Sequence, residues 1–289
     1  MTQTKKKREK VVDDQFRVDL VRDHYDRLSG FYRALWGDHL HHGYFEKAES
    51  PATAQLKLIE RLAERAGITE GSRVLDVGCG VGGSSFWLAR QFRCSVVGIT
   101  ISPVQAAMAA ETASVEGLSE RVRFEVSDAN HLALQPESFD VVWVVECSEH
   151  LEDKKQFIAQ CSRLLKPGGV LALCAWLSRA TSDLPKREQL IREVCQGMLC
   201  PNLASMEDYA EWMWTAEFRQ IEAEDITQNV RQTWTVCAAL ARRPEVKALL
   251  KVSDQRTQRF VQSFSAMQQA YDKGAMAYGM IIARKKFRN

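Results

Sequence analysis

The sequence predicts an α/β fold in which a seven-stranded, mostly parallel sheet carries helices on both faces and a helical cap or lid. Between residues 73 and 176, short apolar runs alternate with segments of helical spacing. This order gives parallel strands joined by right-handed crossovers. The runs consist largely of Val, Leu, Ile, Cys and Trp, as expected when helices cover both sheet faces. Two later strands, near 219–226 and at 275–284, complete the seven.

We predict the strands from these runs and the helices from apolar residues that recur at helical spacing. The second helix also carries its own end signals, because Pro51 suits a first helical turn and Gly67 suits a stop. The predicted strands are 73–77, 95–99, 122–126, 139–145, 169–176, 219–226 and 275–284. The predicted helices are 13–36, 51–66, 82–91, 103–116, 153–165, 183–198, 205–216 and 230–271.

This element order predicts five segments along the chain. A run of basic residues marks a flexible tail, and an aromatic helix after it forms a flap. The ligand-binding core follows, then helical lid insertions that surround one core strand, then the final core strand with the C-terminus. In chain order these segments cover residues 1–12, 13–50, 51–176, 177–272 (with the core strand near 219–226) and 273–289.

Composition narrows the classes of partner. The 39 basic and 37 acidic residues leave a net charge of only +2, which gives no field for nucleic acid. No apolar run reaches 18 residues, so we expect no integral membrane segment. The eight cysteines include no CxxC pair, which predicts free thiols, no metal site and a reducing, cytoplasmic compartment. We expect a monomer or a weak homodimer.

A glycine-rich turn between residues 74 and 83 predicts a cofactor site. The turn follows a buried strand and precedes a helix, and its glycines let a ligand approach the backbone amides. Gly78, Gly80 and Gly83 match the dinucleotide fingerprint, but that fingerprint also needs an acid at the end of the second strand. Residues 95–105 contain no Asp or Glu there. Asp76 instead lies inside the first strand, two residues before the first glycine.

This arrangement resembles motif I of the class I S-adenosylmethionine (SAM) methyltransferases, whose fold is Rossmann-like. Three later landmarks follow in the family's order, namely Asp128 after the third strand, the fourth strand at 139–146 and the Lys166–Gly169 turn. Residues 98–105, 36–45 and 146–150 also resemble the γ-tocopherol methyltransferase branch. The resemblance implies SAM as cofactor, S-adenosylhomocysteine as product and a small-molecule acceptor.

The resemblance also implies a set of site residues at the carboxyl ends of the strands. His150 is the candidate general base, because its ordinary pKa lies near operating pH, and Glu149 is the second choice. The candidate cofactor-binding residues are Asp76, Gly78, Cys79, Gly80, Thr100, Ile101, Ser102, Gln105, Asp128, Ala129, Glu146 and Tyr25. The candidate acceptor-binding residues are Trp36, His42, Trp176, Trp212 and Trp234.

The leading function is therefore methyl transfer to a small molecule, such as the C-methylation of a phenolic or prenylated aromatic acceptor. Natural-product O- or N-methylation of a sugar, sterol or alkaloid is the alternative. An NAD(P)-dependent oxidoreductase and an idle SAM-binding scaffold are the more distant ones. Several assignments stay open from sequence alone: the tryptophans at 212 and 234 could be ordinary core, and Asp128 could simply cap a turn.

Overall fold

The computed structural model describes residues 18–179 and 185–288. The predicted basic tail at 1–12 and the start of the predicted flap at 13–17 lie outside these residues, as do five positions of the predicted lid. Within the described part of the chain, no helix is long and apolar enough to cross a membrane.

Seven strands form one sheet in the order β3-β2-β1-β4-β5-β7-β6. The strands from β1 to β5 pair in parallel, and β7 runs antiparallel between β5 and β6. The sheet is therefore mostly parallel, as predicted. The strands are β1 Arg73–Val77, β2 Ser95–Thr100, β3 Val122–Val126, β4 Phe139–Val145, β5 Leu165–Ser178, β6 Phe218–Asp225 and β7 Met276–Lys285.

Eleven helices are found in the described ranges, and local signals explain several of their ends. Ser50 caps the second helix through the amide of Thr53, and Gly67 ends it in the left-handed conformation. The helices are α1 Val18–Trp36, α2 Pro51–Ala66, α3 Gly83–Phe92, α4 Pro103–Val115, α5 Lys154–Leu164, α6 Pro185–Gly197, α7 Met206–Thr215, α8 Thr227–Val230, α9 Gln232–Ala241, α10 Pro244–Val252 and α11 Gln255–Asp272.

The prediction of one continuous helix at 230–271 is wrong, because the structure divides this range into separate helices. Pro244 opens α10 at its first turn, and the Asp254 side chain caps α11 by accepting from the amide of Thr257. Each signal starts a new helix, so the segment folds back on itself instead of forming one rod. This folding produces a compact cap in which α11 packs against α6 and α9.

Helices cover both faces of the sheet and create two apolar cores. On one face, Leu58, Ile59 and Leu62 of α2 are fully buried. On the other face, Phe157 of α5 and Tyr209 of α7 are fully buried. Burying a side chain of this size stabilises the fold by roughly 1.5–3 kcal/mol. The two cores hold the sheet rigid, and its carboxyl edge can therefore present loops in fixed positions.

The first helix connects the core to the cap. On one side, Arg22 donates to the Ile101 carbonyl and Asp26 accepts from Ser102 at the start of α4. On the other side, an ion pair joins Arg27 to Asp254, the capping residue of α11, with 2.9 Å between Nη1 and Oδ2. As a result α1 lies across the carboxyl edge of the sheet, between α4 and the helical cap.

Candidate active site

The glycine turn after β1 forms a cradle with one open side. Asp76 is buried beneath it and accepts a 2.6 Å hydrogen bond from the Ser85 hydroxyl. Gly78 has φ +77°, and a Cβ on it would lie 2.5 Å from the Cys147 side chain. Gly80 has φ +55°, yet no described atom lies within 4 Å of where its Cβ would be. The backbone at Gly80 thus faces open space, which suits the close approach of a ligand.

Burial dominates the electrostatics of the Asp76 carboxyl. It raises the pKa of Asp76 to about 7, although the hydrogen bond from Ser85 acts in the opposite direction. Above the turn, the amides of Gly78 and Cys79 both donate to the Ile99 carbonyl, which fixes the turn against β2. A cationic amino group placed beside Asp76 would favour its ionised form.

The polar residues after β2 are already hydrogen-bonded to one another or to α1. Thr100 donates to the Gln105 side-chain oxygen at 2.7 Å, and Ser102 caps α4 by accepting from the Gln105 amide. The Ile101 carbonyl accepts from Arg22 of α1. The predicted ribose-binding set is therefore brought together at this edge, where it also anchors the first helix.

Asp128 and Ala129 follow β3 at the same edge of the sheet. One carboxylate oxygen of Asp128 accepts from both the backbone amide and the side chain of Asn130, each at 2.8 Å. Its other oxygen lies 3.6 Å from His131 Nδ1. Asp128 thus caps a turn in the present structure. The adenine contact that the family resemblance implies stays a prediction.

Glu146, directly after β4, accepts hydrogen bonds from three other elements of the fold. Its donors are the His42 amide at 2.7 Å, the His42 ring, the Trp176 indole at 2.8 Å and the Tyr278 hydroxyl at 2.7 Å. Glu146 also has φ +52°, a conformation that costs free energy for a residue with a side chain. The strained backbone turns the carboxylate towards residues 39–45.

Hydrogen-bond geometry fixes the charge state of this cluster. An indole N–H can only donate, so Trp234 Nε1, 2.7 Å from His42 Nε2, shows that Nε2 accepts. The neutral His42 ring therefore carries its proton on Nδ1 and donates it to Glu146. Burial acts to raise the pKa of Glu146, whereas the hydrogen bonds from the His42 ring and backbone amide act to lower it. Glu146 is an ionised anchor for the flap.

His150 lies in the short turn after β4 with both ring nitrogens engaged. A carbonyl can only accept, so Nδ1, 3.2 Å from the Leu199 carbonyl, carries the proton. Nε2 therefore holds a lone pair, and the Tyr25 hydroxyl donates to it at 3.1 Å. Burial lowers the pKa of His150 below its ordinary value of 6.5. His150 is consequently neutral and basic at Nε2 at physiological pH.

Glu149, the second predicted catalytic residue, does not line the cavity, and its placement corrects that prediction. It is 1% exposed and points beneath the site, where one oxygen accepts from the Trp176 amide at 2.5 Å. Its other oxygen has no partner among the described residues. Burial, followed by the nearby charge of Glu146, raises the pKa of Glu149 to about 8. Glu149 is therefore protonated at neutral pH, and it supports the floor of the site.

An apolar cavity between α1, β4, β5 and the cap begins at His150 and Glu146. Of the predicted acceptor-binding residues, Trp36, His42, Trp176 and Trp234 line it. Trp212 does not, which contradicts its prediction: it is partly buried and packs against the core of the opposite sheet face, 5.4 Å from the Tyr209 ring. A tryptophan on an amphipathic helix fits either location, so the sequence could not distinguish them.

Several residues that line the cavity are not among the site residues that the sequence predicts. His41 is buried, and because its Nδ1 donates to the His42 carbonyl, its Nε2 holds a lone pair with no partner among the described residues. A ligand amino group would satisfy that nitrogen. Other lining residues that the prediction of the site did not include form a stripe on α1, where they recur at helical spacing: His24, Leu28, Phe31, Tyr32 and Leu35.

Comparison with known proteins identifies the class of this site. The methyltransferase domain family matches residues 75–173. Tocopherol O-methyltransferase of Arabidopsis thaliana is 30% identical over 283 residues, which span 92% of this chain and 81% of that protein. The 27-O-demethylrifamycin SV methyltransferase of Amycolatopsis mediterranei is 32% identical over 263 residues, spanning 90% and 95%. The chain therefore belongs to the methyltransferase family.

The cofactor of this chain is SAM, and its acceptor is a small molecule. The family assignment excludes the alternative hypothesis of an NAD(P)-dependent oxidoreductase. The cradle at Gly80, the acid at Asp76 and the unpaired nitrogen of His41 fit the amino acid end of SAM. A solved structure, that of the cyclase SpnF, has the same fold with a TM-score of 0.77 and 28% identity. That likeness covers 93% of this chain and 96% of SpnF.

Proposed function

We propose that the protein methylates a hydroxyl-bearing, largely apolar small molecule of phenolic or prenylated aromatic type. One observation carries the proposal: the Nε2 lone pair of neutral His150 lies at a largely apolar cavity, hydrogen-bonded to Tyr25. A phenol must lose a proton before it reacts well, whereas an amine acceptor attacks through its own lone pair. A base in an apolar pocket therefore favours a hydroxyl over an amine.

Different residues of the site bind the cofactor and orient the acceptor. Asp76, the Gly78–Gly80 turn and His41 hold the amino acid end of the cofactor, and the loops after β2 and β3 hold its nucleoside. When bound, SAM supplies an electrophilic methyl group on its sulfonium sulfur. Correct orientation of the acceptor towards that methyl group can supply up to roughly 7–11 kcal/mol of the barrier. Trp176 and Trp234 form the apolar wall that orients the acceptor.

The proton leaves the acceptor through two side chains. The Tyr25 oxygen accepts the proton of the acceptor hydroxyl while its own proton passes to Nε2 of His150. The Leu199 carbonyl accepts from Nδ1 and stabilises the imidazolium that forms. Loss of the proton raises electron density on the acceptor oxygen and on the ring carbons beside it. Either atom can then be methylated, so the proposal includes both O- and C-methylation.

The experiment supplies purified protein and SAM with four acceptor classes: prenylated phenols, hydroxylated glycosides, alkaloid-like amines and sterols. Mass spectrometry scores the gain of one methyl group, and fragmentation locates the methylated atom. We expect transfer to phenols. Transfer confined to amines would contradict the proposed role of the base.

The matched variant is His150→Asn, whose side-chain amide can still donate to Leu199 but cannot take a proton. We expect kcat to fall by about 10²–10⁴-fold, as is usual when a general base is lost, with binding of S-adenosylhomocysteine unchanged. Because burial lowers the pKa of His150, kcat of the wild type should stay level from pH 8 to 7 and fall only below 6.5. Full turnover in the variant would exclude the role.

The cellular setting is also part of this proposal. All eight cysteines are free thiols, and five of them are buried. Buried thiols that burial holds protonated suit a reducing compartment such as the cytoplasm. We propose a monomer or a weak homodimer, which sedimentation of the purified protein would test directly.

A further inference from the structure

The cavity contains a second polar pair, His24 with Tyr32, beside the pair of Tyr25 and His150; the His24 and Tyr25 ring centroids are 5.3 Å apart. The Tyr32 hydroxyl lies 2.7 Å from His24 Nε2, and both side chains line the cavity. Phe260 of α11 packs against both rings, with centroids 4.9 Å from His24 and 5.6 Å from Tyr32. The two polar side chains are therefore surrounded by apolar residues of the cavity wall. Burying such groups costs free energy, and the fold of the cap does not require them.

The two polar pairs have the same hydrogen-bonding arrangement, and α1 contributes a tyrosine to each. In each, a tyrosine hydroxyl of α1 is hydrogen-bonded to Nε2 of a histidine, Tyr25 with His150 and Tyr32 with His24. The tyrosines are seven residues apart, which is two helical turns, so they lie on one face about 10 Å apart. Leu28, one turn from each, fills the interval with an apolar surface.

A continuous row of aromatic rings joins the His24–Tyr32 pair to the floor of the cavity. Ring centroids follow one another at 5.1 Å from Phe260 to Phe264, 5.4 Å from Phe264 to Trp234 and 5.4 Å from Trp234 to His42. Neither end of this row is apolar, because His24 begins it and His42 ends it. A ligand that fills the cavity therefore presents a long apolar body to this row and polar groups at its ends.

We propose that the His24–Tyr32 pair is a second acceptor subsite, which binds a hydroxyl or carbonyl group of the acceptor other than the one that is methylated. This inference rests on the proposed function and narrows its acceptor to elongated molecules with two polar groups. A phenolic hydroxyl both donates and accepts, so Tyr32 can bond His24 and the ligand at once. A few placed polar groups in an apolar pocket are the usual means of fixing ligand orientation.

The test compares two probes that differ only in the remote group, 4-pentylphenol and 4-(5-hydroxypentyl)phenol. Calorimetry measures the Kd of each for the protein saturated with S-adenosylhomocysteine. A net hydrogen bond contributes roughly 0.5–1.5 kcal/mol, which is about twofold to thirteenfold in Kd. We expect Tyr32→Phe to weaken binding of the diol by such a factor and to leave 4-pentylphenol unchanged.

The matched control is Tyr44→Phe, which removes a hydroxyl from a half-buried tyrosine outside the cavity, beside Arg61. It should alter neither Kd. A second variant, His24→Gln, tests the other member of the pair if Tyr32→Phe does not fold. Equal Kd values for the diol in the wild type and in the folded variants would overturn the subsite.

The same samples separate this inference from the proposed function. With SAM in place of the product, a gain of one methyl group on either phenol supports hydroxyl methylation. Methylation of both probes with no diol effect in Tyr32→Phe would remove the subsite and leave the function standing. A diol effect in binding without methyl transfer to any hydroxyl would support the subsite and contradict the function.

Discussion

Glu149 retains its proton at neutral pH because it is buried beside the ionised Glu146. The pKa of Glu149 rises from 4.5 in an unfolded chain to about 8 in the fold. Between these two pH values the unfolded chain gives up the proton while the folded protein keeps it. The unfolded state then binds fewer protons, so Glu149 lowers the free energy of unfolding progressively as pH rises.

The substitution Glu149→Gln should remove that pH dependence, since an amide resembles the protonated acid and can still accept from the Trp176 amide. We expect the variant to gain stability over the wild type between pH 5 and pH 8, by on the order of 2 kcal/mol or more. Urea unfolding at both pH values measures it. The exposed Glu120→Gln should show no such gain, and a pH-independent difference for Glu149→Gln would contradict the protonated state.

His42 is a shared link between the flap, the sheet and the helical cap. Its backbone amide and its ring both donate to Glu146, and its ring accepts from Trp234 of α9. The exposed ion pairs between α1 and α11 add little, because solvent screens them. The buried Glu146 carboxylate therefore contributes more to the connection between these elements than the exposed ion pairs do.

Glu146→Gln should loosen this connection, because the new amide N–H groups face donors rather than acceptors. Each buried donor left without a partner costs about 1–3 kcal/mol, so we expect a loss of roughly 2–4 kcal/mol of stability and a higher KM for SAM. Denaturant unfolding and steady-state kinetics measure the two effects. The control Glu125→Gln, an exposed carboxylate on β3, should change stability by less than about 0.5 kcal/mol. Equal losses in both variants would disprove the anchor.

At this scale the sequence predicts most elements well. The bounds of β1, β3, β4 and α2 agree with the structure, because branched and aromatic apolar residues mark the strands and a clear Pro and Gly pair marks the helix. It predicts less about the site. Periodicity shows that α1 and α7 each have an apolar face, but only the tertiary fold shows that the face of α1 lines a cavity while Trp212 packs against a core. Hydrogen-bond partners such as Glu146 and His42 are 104 residues apart, and no sequence pattern indicates that the two residues will meet.

Across the whole molecule, ligand binding should stabilise the fold. S-adenosylhomocysteine at a hundred times its Kd should raise the free energy of unfolding by about 2.7 kcal/mol and raise Tm. Gly80→Ala should abolish this shift, because its Cβ occupies the open side of the cradle. Gly117→Ala is the matched control: it has φ +66° and open space too, but lies at the end of α4.

Both alanine variants bear similar backbone strain, about 1–2 kcal/mol, since each places a side chain in the left-handed region. Thermal unfolding with and without S-adenosylhomocysteine separates that shared cost from the loss of ligand. If Gly80→Ala retains the full ligand-induced shift, the cofactor does not approach the turn at this residue.

The position of β7 in the sheet has a consequence for synthesis of the protein. Residues 276–285 lie between β5 and β6, although they are the last strand to be made. Until they leave the ribosome, one edge of β5 is unpaired and β6 has no neighbour, and such exposed edges invite pairing with other chains. The nascent chain must therefore carry an incomplete sheet until residues 276–285 emerge, and in that interval the unpaired edge of β5 favours association with other chains.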